Sequence, residues 1–109
     1  MAKGVLIALS NPVSADREDE YNHWYNVVHG SEVTSLKGFA AMTRYKANAQ
    51  AVPPSETPTF HYLALYDLDD VDQALRSLAE GADKFQMSDS VDLQNALGIG
   101  FEKIFSTRD

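Results

Sequence analysis

The chain contains no cysteine. Disulfides, thiolate zinc sites, iron–sulfur clusters and a cysteine nucleophile are therefore excluded. Positive charge is scarce as well: 9 basic against 16 acidic residues give a formal charge of −7, and the basic residues are scattered from Lys3 to Arg108. Nucleic acid demands clustered Lys and Arg to neutralise phosphates, and an anionic membrane surface is disfavoured on the same electrostatic ground. Neither is expected as a partner. The apolar run within MAKGVLIALSNP is too short for a membrane span and carries no cleavage site, so the expected location is cytoplasmic. The 6 glycines stand singly apart from Gly98-x-Gly100, which leaves no phosphate-cradling loop, and there is no G-x-S-x-G elbow.

What is present is an ordinary globular composition, 44% hydrophobic and 10% aromatic in 109 residues. That is one domain, spanning 1–109. A core this small competes with any sizeable cavity unless a partner adds burial.

Gly4 to Leu9 is a compact apolar run closed by Ser10-Asn11-Pro12 and reads as a buried strand. From about Asp16 the period becomes helical. Tyr21, Trp24, Tyr25 and Val28 fall at i, i+3, i+4 and i+7 behind an acidic first turn. Gly30 is expected to kink or end this helix, although Glu32, Val33 and Leu36 continue its face. Lys37-Gly38 breaks the pattern, and Phe39 to Ala47 reads as a second strand. Asn48 to Pro58 holds Pro53, Pro54 and Pro58 and is expected to be a loop.

A third strand is expected over Thr59 to Asp67. Asp70 with Gln73 forms a capping box for a helix with the apolar face Val71, Ala74, Leu75, Leu78 and Ala79. A short extra helix is expected around Ser90 to Leu97, and Gly98 to Phe105 reads as the last strand. The order β-α-β-β-α-β is the ferredoxin-like arrangement: α+β, a four-stranded antiparallel sheet with two main helices on one face.

Both faces of the strands are largely apolar. Val5, Ile7 and Leu9 alternate with Leu6 and Ala8, while Tyr62, Ala64 and Tyr66 alternate with His61, Leu63 and Leu65. Two helices cover only one face, so a second copy of the sheet is the simplest cover for the other.

The two helices align with Val71 on Tyr21, Ala74 on Trp24, Leu75 on Tyr25, Leu78 on Val28, Ala79 on His29 and Ala82 on Glu32. The second meets the sheet with aliphatics; the first presents aromatics, a histidine and a carboxylate. Packing alone does not require that difference, which nominates the first helix as the wall of a site. Trp24 and Tyr25 are read as substrate-packing residues, at least one of them lining a cavity; the competing reading is plain core.

His29, one turn beyond Tyr25, has the chemistry for proton transfer near neutral pH, with Glu32 three residues on to orient it. Its competing role is capping the helix end. His23 falls on the solvated side. His61 is either a core or a pocket residue. Arg44 pairs with a carboxylate of a ligand or of the protein, and Tyr45, Tyr62 and Tyr66 offer phenols if they point inward. His29, Glu32 and His61 match no metal-ligand spacing.

The stretch from Glu20 through Trp24, Tyr25 and His29 to Glu32-Val33, followed by Gly38-Phe39, resembles the EthD-like members of the dimeric α+β barrel superfamily. Those carry E-x-x-x-W-Y-x-x-x-H, then a turn and a P-G-F/V entry into the second strand. Lys37 stands where the proline before the glycine is usual, and the proline often found just after the histidine is absent. The resemblance implies a homodimer with a small apolar pocket between each sheet and its helices, and it makes His29 a catalytic candidate. The superfamily spans monooxygenases, cyclases, isomerases, lyases and haem-degrading enzymes, and fold likeness does not choose among them.

The reading that follows is a cofactor-independent lyase, isomerase or cyclase acting on an aromatic, polyketide or lactone-like molecule. In it His29 and Glu32 are catalytic, and Trp24, Tyr25, His61, Tyr62 and Arg44 bind substrate. The alternatives are a hydrophobic-ligand-binding or stress-response module, and a haem-binding monooxygenase-like protein with His29 or His61 as axial ligand. The two-faced strands predict a homodimer. Sedimentation at micromolar concentration should return twice the 12.0 kDa chain mass, and a stable monomer would overturn this assembly.

Overall fold

Chain order and burial in the computed structural model, which describes residues 2–48 and 59–108, follow from that patterning. The expected proline loop falls, from residue 49 on, outside the described residues. Strand β1 (Gly4–Ser10) leads through a short 3-10 turn (Ala15–Arg17) into α1 (Glu18–His23), a π-helical stretch (Trp24–His29) and α2 (Gly30–Thr34). Strands β2 (Phe39–Lys46) and β3 (Tyr62–Leu68), helix α3 (Val71–Gly81) and strand β4 (Leu97–Glu102) follow. The sheet is antiparallel throughout, in the order β2-β3-β1-β4. This is the α+β, ferredoxin-like arrangement.

Local chemistry accounts for the boundaries. Gly30 does not end the first helical run; its αR backbone carries the helix on to Thr34. Strand β3 begins at Tyr62 rather than Thr59 because the Asn11 carboxamide claims that backbone, donating to the Thr59 carbonyl at 3.0 Å and accepting from the His61 amide at 2.7 Å. Asp70 caps α3 by accepting from the Gln73 amide at 3.2 Å. The reciprocal half of the expected capping box is replaced, since the Gln73 side chain donates to Ser77 instead. The extra helix near residue 90 is a single 3-10 turn, Leu93–Asn95, and β4 ends at Glu102, leaving Ile104 and Phe105 exposed.

The core lies between the helices and one sheet face. Leu6, Tyr62, Ala64, Tyr66 and Leu68 meet Tyr21, Trp24, Tyr25, Val33, Val71 and Ala74 there. On α3, Ser77 is buried, while Leu75 and Ala79 of the expected apolar face are exposed. The opposite sheet face stays open, with Leu97, Ile99 and Phe101 each more than two-fifths exposed. Among the described residues no helix is long and apolar enough to cross a membrane.

Gly38, between α2 and β2, has φ +94°, and a Cβ there would come within 2.6 Å of the Ala74 amide nitrogen. Left-handed backbone and close approach to α3 both require glycine. Gly38→Ala should cost more than about 3 kcal/mol in urea melts, because strain and a backbone clash add; a loss under about 1 kcal/mol would refute this account.

Candidate functional site

The site is built on the π turn. In an α-helix, side chains five residues apart diverge by about 140°, since each residue turns roughly 100°. A π turn bonds i to i+5 and brings such residues into line. His29 accordingly stacks on Trp24, with ring centroids 4.3 Å apart and planes 16° from parallel. Tyr25 and Phe85 present their rings nearly perpendicular to the imidazole at 5.3 and 5.4 Å.

The segment carrying Phe85 is strapped in place by the same helical run. Trp24 Nε1 donates to the Gln86 carbonyl at 2.6 Å, and the Gln86 amide donates to Glu32 Oε2 at 2.9 Å. The other Glu32 oxygen, Oε1, lies 3.9 Å from His29 Nδ1. That is too long for a hydrogen bond, and both atoms are buried without a partner. Burial pushes the His29 pKa below its ordinary value, and the nearby Glu32 charge only partly offsets this. The ring is therefore neutral at pH 7, with 14% of the side chain still accessible.

That accessible part faces space. A cavity of about 470 Å³ is lined by His29, Tyr66, Phe85, Val33 and Leu78, with Leu6, Ala8 and β4 as its floor. A smaller cleft of about 220 Å³ shares Ala8, His29 and Gly98 with it and is bordered by Trp24 and Tyr25. Both aromatics thus line a cavity while remaining largely buried.

The space exists because one row across the sheet is small. Ala64 pairs with Ala8, and Ala8 with Gly98. A Cβ on Gly98 would meet nothing within 4 Å, whereas one on Gly100 would meet the Leu75 side chain at 3.2 Å. Gly98 is the opening; Gly100 is where α3 closes down.

The remaining sequence candidates stand elsewhere. Arg44, across from Ala64 on β2, lies over the Tyr25 ring at 4.5 Å, flanked by Tyr62 and Tyr21 at 5.2 and 5.3 Å. Its Nη1 donates to Asn26 at 2.9 Å, and it lines neither cavity. Tyr25 touches both Arg44 and His29 and so stands between them. The Tyr62 hydroxyl donates to Glu18 at 2.7 Å, outside both cavities. His61 is exposed on shallow grooves that do not include His29, because strand alternation turns it away from Tyr62. His23 is exposed. Among the described residues no three His, Asp or Glu side chains gather as a metal cage.

Sequence reasoning missed Phe85, Gln86 and Gly98. The first two come from a segment without periodicity. Gly98 carried a signal: Gly98 and Gly100 share one face of a strand whose other face is Leu97, Ile99 and Phe101, so the bare face meant space or close approach.

No protein-family model matches this chain, and no curated protein does. A solved structure does: an ethyl tert-butyl ether D (EthD) family protein from Bacillus halodurans C-125, at 13% identity and a TM-score of 0.62, covering 95% of this chain and all of that one. The likeness shows the fold, in agreement with the resemblance carried by residues 20–39.

A buried neutral histidine has a thermodynamic signature. His29 resists protonation when folded and accepts it near its ordinary pKa of 6.5 when unfolded. Its share of the stability is therefore complete above that pH and is lost as the pH falls through it. Melts of the wild type and His29→Gln between pH 7.5 and 5 should diverge, the wild type losing more on acidification. Parallel curves would show that the ring titrates freely.

Proposed function

We propose that the chain is a small enzyme that needs no cofactor, moving a proton on an aromatic, polyketide or lactone-like molecule with His29 as the acid–base group. The observation that carries this reading is a neutral imidazole bordering a mainly apolar cavity, with an unpartnered carboxylate oxygen 3.9 Å behind its Nδ1. A neutral ring can accept a proton; an imidazolium cannot. A small approach of Glu32 lets Nδ1–H donate to the carboxylate and leaves Nε2 as the base.

When Nε2 takes the proton, the imidazolium is stabilised by the Glu32 charge and by the Trp24 face beneath it. Leu6, Val33, Leu78 and Phe85 suit a flat apolar body, with Trp24 and Tyr25 extending that wall into the smaller cleft. Arg44 contributes through Tyr25, which it holds from behind; Tyr62 helps to hold Arg44, and His61 stays outside.

The active unit is a homodimer closed through the open sheet faces. The support is the continuous apolar surface of Leu97, Ile99 and Phe101 on β4, with their half-buried neighbours Ile7, Leu9, Leu63 and Leu65. A second copy presents the same chemistry and self-complements it.

The test is a thermal-shift screen of aromatic acids, quinones and lactones. A ligand at a hundredfold excess over its Kd should stabilise the wild type by about 2.7 kcal/mol. A Cβ at Gly98 meets nothing within 4 Å, so Gly98→Leu should fold, occupy the floor and lose that stabilisation. For ligands with an acidic C–H, deuterium uptake from D2O should be accelerated by wild type and not by His29→Ala. Undiminished binding by Gly98→Leu would refute the cavity as the site, and undiminished exchange by His29→Ala would refute the base.

A further inference from the structure

We infer that the molecule bound at His29 is elongated, with a flat ring in the larger cavity and a hydrocarbon arm running past His29 into the smaller cleft. The inference rests on the proposed use of the cavity and adds a second subsite to it.

The two spaces meet at one place. Ala8, His29 and Gly98 line both, and Ala8 pairs directly with Gly98 in the sheet. A Cβ on Gly98 would meet nothing within 4 Å, so the junction is open rather than walled off. His29, with 14% of its side chain accessible, stands at that junction. A reacting group held against it therefore has one lobe on either side. The strap keeps the same division. Phe85 lines the larger cavity and Met87 the smaller cleft, while Gln86 between them is pinned by Trp24 and Glu32.

The chemistry of the smaller lobe selects a hydrocarbon. Among the described residues, neither lining contains Asp, Glu, Lys or Arg, so a charged arm would be desolvated without a partner. The Ser10 hydroxyl on the cleft wall is bound to Tyr21 at 2.6 Å, and the Trp24 N–H is bound to the Gln86 carbonyl. Met87 and Leu93 reach the same cleft while 51% and 58% exposed. Apolar side chains exposed singly are ordinary. Two that converge on one cleft, continuous with the space under a titratable ring, are covered when an apolar arm lies between them. The two volumes fit the division: about 470 Å³ for the ring and about 220 Å³ for the arm.

Phenyl alkyl ketones have this shape, with the carbonyl between ring and chain. The experiment measures Kd for acetophenone, butyrophenone and hexanophenone on wild type, Leu93→Asp and Met87→Asp, both substitutions lying at exposed positions. Wild type should gain roughly threefold in affinity per added methylene. Each variant should bind acetophenone within about twofold of wild type and lose most of the gain with chain length. A readout on wild type alone is the Met87 methyl resonance, which should show an NOE to the terminal methyl of hexanophenone, while that of Met42 should not. A flat series in wild type, or no NOE at Met87, would overturn the second subsite and leave the cavity reading intact. An undiminished gain in both variants would also overturn it, because the chain would then lie elsewhere. Binding of none of the three ketones by wild type would remove the cavity reading and this inference with it.

Discussion

The stacking of His29 on Trp24 is the contact from which the rest of the site follows. It requires the π turn, because only i to i+5 bonding brings residues 24 and 29 into line. The same indole uses its N–H to hold the Gln86 carbonyl, which sets Phe85 against the other side of the imidazole. One aromatic side chain therefore orients the titratable ring and anchors the segment that closes over it. Glu32 reinforces the arrangement by accepting the Gln86 amide with one oxygen while the other stays near His29.

A second constraint is space. A chain of 12.0 kDa has little core to give away, yet the row Ala64–Ala8–Gly98 leaves the sheet bare beneath His29. Glycine inside a strand lowers stability by about 0.5–1 kcal/mol relative to alanine, and nothing near Gly98 demands that a Cβ be missing. Gly98 borders both cavities. The Tyr66 hydroxyl is likewise buried without a partner, at a desolvation cost of about 1–3 kcal/mol. Both features cost stability, which burial of the open sheet face by a second copy would offset.

Electrostatics divide the interior into two zones. Around His29 the walls are aromatic and aliphatic, and burial keeps the ring neutral. On the far side of Tyr25 the Arg44 guanidinium is caged by three tyrosines and held by Asn26. Tyr25 stands between that fixed positive charge and the neutral His29 ring.

Much of this was legible in the residues. Period-two runs with apolar residues on both faces define the strands and the sheet's two surfaces, and the aromatic stripe against an aliphatic one marked the first helix as special. His29 and Glu32 follow from residue type and spacing, because a helix brings neighbours three apart together whatever surrounds it. The tertiary structure alone decided the rest. The π turn is a register change that no local propensity encodes; it stacks His29 on Trp24 while the Tyr25 ring keeps an edge contact. Phe85 and Gln86 reach the site through long-range hydrogen bonds from Trp24 and Glu32. The separation of Arg44, Tyr62 and His61 from the cavity depends on strand pairing and on which side of Tyr25 each residue falls. Short-range order is written in composition and period, whereas a cavity is defined by which distant side chains fail to fill it, and only the assembled packing determines that.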